Sequence, residues 1–119
     1  MKNTVIIGAS TNPARYSFMA AQKLTSFHHP IFLIGKGGGS IFGQEIHQDK
    51  VIWPDIDTVT LYINPSRQPE YYDYILSLNP QRVIFNPGTE NPEFADILND
   101  KNIVPVEACT LVLLSIGQY

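Results

Sequence analysis

Five short apolar runs, at residues 4–7, 31–34, 58–63, 82–85 and 103–106, constrain this chain more than any other feature. Most are continuous rather than alternating; Thr4-Val5-Ile6-Ile7 and Ile31-Phe32-Leu33-Ile34 are the clearest. A strand that is apolar on both sides must be covered on both faces, which is the situation of a parallel sheet held between helices. The intervening segments carry the helical period instead. Ala20, Leu24 and Phe27 follow one another at i, i+4, i+7, as do Tyr71, Ile75 and Leu78, and Phe94, Ile97 and Leu98 line a third stripe. Strands alternating with helices make βαβ units, and their crossovers are right-handed. The expectation is an α/β, Rossmann-like three-layer fold whose mainly parallel sheet has five or six strands. At 119 residues the chain is read as a single domain, 1–119.

Residues 35–43 break the rhythm with five glycines, and 45–56 are mixed, with Trp53-Pro54 near the end. This region reads as a loop, a short edge strand and a turn, with Trp53-Pro54 packed on the sheet edge. Asn-Pro pairs punctuate the rest. Asn91-Pro92-Glu93 is a helix start, with N-cap, first helical residue and an acid in the first turn. Asn64-Pro65 and Asn86-Pro87 each follow a strand. A residue before proline is pushed out of helical geometry, so both pairs end their strands at the carboxyl edge of the sheet. In doubly wound folds that edge is where ligands bind.

The first such edge is the most telling. Val5-Ile6-Ile7 stops at Gly8, and Ala9-Ser10-Thr11-Asn12-Pro13 leads into the first helix, with Asn12 as N-cap and Pro13 as first helical residue. Free amides and the helix dipole at such a mouth attract phosphate. This is not the full dinucleotide fingerprint, because Ser10 and Pro13 stand where G-x-G-x-x-G has glycines. The second strand has no carboxylate at its end to meet a ribose. Ile34-Gly35-Lys36 offers a cation in a glycine-rich loop, which suits an extra ribose phosphate such as that of NADP or coenzyme A.

Composition excludes several classes. Eight Lys and Arg against eleven Asp and Glu give a net charge of -3 without a basic cluster, which argues against nucleic-acid and anionic-membrane partners. One cysteine excludes an internal disulfide and a Cys-rich zinc site. His28-His29 fits a helix C-terminal turn, since adjacent side chains diverge, and His47 stands alone, so no metal site is expected. Gly-x-Ser-x-Gly, a Walker motif and a carboxylate pair are absent, so no catalytic residue is assigned. The apolar start is too short for a signal or membrane segment, and a cytoplasmic location is expected. Residues 110–116 are apolar almost all round and read as either a buried last helix or a homodimer surface.

The run Gly8-Ala9-Ser10, Asn12-Pro13, Arg15-Tyr16-Ser17 resembles the opening motif of the small, single-domain bacterial CoA-binding proteins. These are similar to the CoA-binding domain of the succinyl-CoA synthetase alpha subunit. The resemblance continues through the glycine-rich loop, Asn64-Pro65, Gly88 and Cys109. It implies a cofactor, coenzyme A or an acyl-CoA, at the carboxyl edge. Gly8, Ala9, Ser10, Asn12 and Pro13 would face the pyrophosphate, with Arg15 and Ser17 adding a charge and a hydroxyl. Lys36 would meet the 3′-phosphate. Ile63, Asn64 and Pro65 would border the adenine and ribose, and Asn86, Pro87 and Gly88 the pantetheine arm. Where many relatives read Asp-Arg-Cys, this chain has Glu107-Ala108-Cys109, and Cys109 is read as a structural residue.

The function expected is a non-catalytic binding module for a small nucleotide ligand, CoA or acyl-CoA. A homodimer or a larger acyl-CoA enzyme is the partner to look for. Three readings stand beside it: an NADP-binding oxidoreductase-like domain, a redox partner in which Cys109 pairs with CoA, and a ligand-free protein-interaction subunit.

Overall fold

The computed structural model describes residues 1–119. In chain order its elements are β1 (Thr4–Ile7), α1 (Tyr16–Ser26), β2 (Ile31–Ile34), β3 (Ser40–Ile41), β4 (Gln44–His47) and β5 (Thr58–Leu61). A 3-10 segment (Pro65–Tyr71) then leads into α2 (Tyr72–Leu78). The chain ends with β6 (Arg82–Phe85), α3 (Pro92–Asp100), β7 (Val104–Glu107) and α4 (Thr110–Ser115). The sheet order is β3-β4-β2-β1-β5-β6-β7. Every pairing is parallel except that of β3 with β4.

The sheet thus has seven strands, more than the five or six expected. The excess is the β3–β4 hairpin, whose register pairs Ser40 with Glu45 and Ile41 with Gln44. Phe42 and Gly43 at its tip have φ of 50° and 78°. Two positive φ values in a two-residue loop make the turn whose twist matches antiparallel strands. A strand of two residues has no apolar run, which is why the pattern did not reveal it.

Alternate strand residues feed opposite cores, as a period of two requires. Val5, Ile7, Val59, Leu61, Val83 and Phe85 pack under Tyr71, Tyr74, Ile75, Leu78, Phe94 and Leu98 from the α2 and α3 side. Ile6, Leu33 and Ile46 meet Ala21, Leu24 and Leu114 from α1 and α4. That double coverage is the physical origin of the continuous apolar runs. Trp53 lies against the rings of Phe32 and His47, with centroids 5.3 and 5.4 Å away, at the sheet margin.

The α3 start is as expected, with the Phe94 amide donating to Asn91 Oδ1 at 3.1 Å and Pro92 in the first turn. The α1 start is not. Asn12 does not cap it: its Oδ1 accepts from the Ala14 amide at 2.9 Å, and its carbonyl accepts from Arg15. Asn12 and Pro13 therefore build a separate turn, and the helix begins at Tyr16 with extended Arg15 as N-cap. Phe27, expected on the buried stripe, lies past the helix end and is 47 % exposed. His28 (φ 66°) takes the left-handed turn after it. The last helix is neither fully buried nor fully open: Thr110 and Leu114 face inward, Val112 and Ile116 outward.

No helix is long and apolar enough to cross a membrane.

Candidate functional site

From β1 the chain first adds β2 on one side and later β5 on the other. The loops after those strands diverge, and a crevice opens outside their carboxyl ends. Here it is a cleft of about 520 Å³. The β1–α1 connection contributes Gly8, Ala9, Ser10 and Arg15, and α1 contributes Tyr16 and Ser17. The loop after β2 adds Gly35, Lys36 and Gly37. The opposite wall is Tyr62, Ile63, Asn64, Arg67 and Tyr71, and Pro87, Gly88 and Thr89 complete it from the loop after β6.

Two close approaches fix this shape. Gly8 has φ 96°, and a Cβ there would sit 2.7 Å from the Tyr62 carbonyl oxygen. The amides of Gly8 and Ala9 both donate to the Ile34 carbonyl, at 3.0 and 2.9 Å, which folds the first loop over the end of β2. At the same crossing a Cβ on Gly35 would lie 2.2 Å from the Ala9 carbonyl oxygen. Backbone meets backbone there, and only glycine leaves room.

The donors available to an anion follow from these bonds. The Gly8 and Ala9 amides are already engaged, whereas those of Ser10, Tyr16 and Ser17 have no protein acceptor. The Gly88 amide is held by Glu90 Oε1 at 2.9 Å. Three cations line the cleft, Arg15, Lys36 and Arg67, and no carboxylate does. The protein as a whole carries a net charge of -3, so this concentration of positive charge is local. Arg67 Nε is buried without a hydrogen-bond partner, and its nearest carboxylate, that of Glu70, is 4.0 Å away.

Behind the far wall lies a buried polar clamp. Gln68 is 0 % exposed, and its Nε2 donates to the carbonyls of Ile63 and Thr89, at 3.2 and 2.7 Å. Asn91 Nδ2 donates to Gln68 Oε1 at 3.0 Å. One side chain thereby ties together two loops that border the cleft.

Of the residues singled out from sequence, Gly8, Ala9, Ser10, Arg15, Ser17, Lys36, Ile63, Asn64, Pro87 and Gly88 line the cleft. Asn12, Pro13 and Pro65 do not; they shape the turns beside it. Asn86 is also absent, and its amide is fully engaged inside the protein. Nδ2 donates to Thr60 Oγ1 at 2.6 Å and to the Leu61 carbonyl at 2.9 Å, and Oδ1 accepts from the Thr110 amide at 2.9 Å. Arg67, Tyr62 and Tyr71, which none of the sequence motifs above singles out as site residues, line the cleft as well. A cation two residues past an Asn-Pro pair at the carboxyl edge was the signal for Arg67.

A second, smaller pocket of about 260 Å³ adjoins the cleft. Tyr16, Tyr62 and Pro87 belong to both, and Asn86, Cys109 and Leu111 complete it. Burial pushes the Tyr62 phenol far above its ordinary pKa. The Thr110 and Thr60 hydroxyls lie close enough to oppose that shift, yet neither completes a hydrogen bond with it. Cys109 is half-buried at the start of α4, flanked by Ala108 and Thr110.

A doubly wound sheet with a ligand-sized cleft at its switch point defines a Rossmann-like α/β domain. Residues 2–115 match the CoA binding domain family, and the chain belongs to that family. A crystal structure of an uncharacterised protein is 48% identical and aligns with TM-score 0.98, over 100% of this chain and 98% of that one. A Thermus thermophilus protein is 22% identical with TM-score 0.87, over 99% and 90% of the two chains. A hypothetical protein from Pyrococcus horikoshii OT3 is 20% identical with TM-score 0.85, over 93% and 80%. The latter two share the fold. No functionally curated protein matches the chain.

Proposed function

We propose that this protein is a non-catalytic module that holds coenzyme A or an acyl-CoA across the carboxyl edge of its sheet. The observation that carries this reading is the cleft's charge: Arg15, Lys36 and Arg67 on its walls and no carboxylate, in a chain of net charge -3. CoA brings a pyrophosphate and a 3′-phosphate, and its charge matches such a cluster. The free amides of Ser10, Tyr16 and Ser17 point to the pyrophosphate, with Arg15 beside them. Lys36, on the loop after β2, takes the 3′-phosphate in this reading. Ile63, Asn64 and Tyr71 offer the adenosine an apolar wall with one amide, and Arg67 supplies charge from the opposite side.

Calorimetric titration with CoA, 3′-dephospho-CoA and NADP tests this. A charge-assisted hydrogen bond contributes about 1.5–3 kcal/mol, so Lys36→Ala is expected to weaken CoA at least tenfold. The same substitution should leave 3′-dephospho-CoA unchanged, because the phosphate that Lys36 meets is gone. Arg67→Ala should weaken both ligands. Tighter binding of NADP than of CoA would replace the module with the oxidoreductase-like reading. Binding of none of the three would leave a protein-interaction subunit.

A further inference from the structure

The pocket beside the cleft has a chemistry of its own. Its walls are the rings of Tyr16 and Tyr62, Pro87, Leu111 and Cys109, with Asn86 behind them. The one amide among these residues is turned away, to Thr60, Leu61 and Thr110. No Asp, Glu, Lys, Arg or His borders it, in contrast to the cationic cleft next door. The Tyr62 phenol stays neutral, because burial raises its pKa. The two spaces share Tyr16, Tyr62 and Pro87, so the pocket adjoins the cleft along one wall.

We propose that this pocket receives the acyl group of a short-chain, uncharged acyl thioester whose phosphates occupy the cleft. The inference rests on the CoA reading of the cleft and adds the class of acyl group. A space walled mainly by apolar surface rewards methylenes and penalises a carboxylate, since burying an unpaired charge costs several kcal/mol. Its 260 Å³ equal roughly nine water volumes at about 30 Å³ each. After the terminal cysteamine atoms enter, space remains for roughly four or five carbons. Acetyl underfills it, butyryl and branched five-carbon groups fit, and octanoyl overruns it. Succinyl has the right length and the wrong charge.

The test is titration of the native protein with CoA, acetyl-CoA, butyryl-CoA, succinyl-CoA and octanoyl-CoA, in reducing buffer so that Cys109 and the CoA thiol stay apart. Each buried methylene is worth about 0.8 kcal/mol, or roughly fourfold in affinity. Butyryl-CoA is therefore expected to bind at least tenfold more tightly than CoA and at least tenfold more tightly than succinyl-CoA. Leu111→Trp fills the pocket and should abolish the advantage of butyryl-CoA over CoA. Tyr16 is 69 % exposed, so Tyr16→Ala spares the fold. It removes one wall and should reduce the same advantage severalfold. CoA binding without any preference for butyryl overturns the pocket assignment and leaves the module reading intact. Equal affinity for butyryl- and succinyl-CoA also overturns it. No binding of CoA at all removes the reading on which the assignment stands, and the assignment with it.

Discussion

Asn86 stands at the carboxyl edge of β6, where a ligand contact is expected, yet its amide links β5, β6 and α4. Replacing it with alanine removes three hydrogen bonds at once: to Thr60 Oγ1 (2.6 Å), the Leu61 carbonyl (2.9 Å) and the Thr110 amide (2.9 Å). Thr60 keeps a partner in the Thr110 hydroxyl at 2.8 Å. The Thr110 amide keeps none, and it is the first-turn donor of a six-residue helix that has no other side-chain cap. At about 1 kcal/mol for each lost bond, plus the penalty for a buried donor without acceptor, Asn86→Ala is expected to cost about 3–4 kcal/mol. For a chain of this size that lowers Tm by roughly 12 °C. Urea unfolding followed by circular dichroism measures it, and the midpoint should fall while the m-value holds. A second variant sharpens the case. Asn86→Asp keeps the shape and the acceptor but sets a carboxylate against the Leu61 carbonyl, so it should be destabilised more at pH 7 than at pH 4. A stability loss under about 1 kcal/mol for Asn86→Ala, accompanied by a large loss of CoA affinity, would refute the reasoning and return Asn86 to the ligand.

Two further outcomes are expected. Gly35→Ala drives a Cβ to 2.2 Å from the Ala9 carbonyl and should cost about 2–3 kcal/mol in thermal or urea unfolding, whereas Gly37→Ala, with nothing within 4 Å, should cost under about 0.5 kcal/mol. His29 accepts a hydrogen bond from the Lys2 amide at 2.9 Å through Nδ1, which requires the neutral ring. Its pKa is lowered below 6.5 by burial first and then by the N-terminus, Lys2 and Arg82. The stability it contributes is therefore complete above about pH 6.5, begins to fall below that value and is lost once pH has dropped through the lowered folded-state pKa. Urea midpoints measured between pH 7.5 and 5 should decline in the native protein and decline less in His29→Gln.

Much of this molecule was legible in one dimension. β1, β2 and β6 occupy 4–7, 31–34 and 82–85 as the apolar runs dictate, because a strand covered on both faces has to be apolar on both. The α3 start was equally plain, since Asn91, Pro92 and Glu93 act within one turn of each other and need nothing distant. The identical grammar at Asn12-Pro13 misled. There the chain must first climb over β2, held by two amides on the Ile34 carbonyl, before a helix can form. The short β3–β4 hairpin rests on two left-handed residues rather than on an apolar run.

The sequence by itself determined that the chain folds around a parallel sheet with glycine turns and Asn-Pro stops along one edge, because those signals are local in range. Only the tertiary structure decided which residues meet at that edge. It brought Arg67 to the same cleft as Arg15 and Lys36 and turned the Asn86 amide inward. It also set Cys109 and Leu111, from the far end of the chain, beside Tyr16. Charge and shape in a cleft are sums over loops distant in sequence, and no local pattern carries that sum.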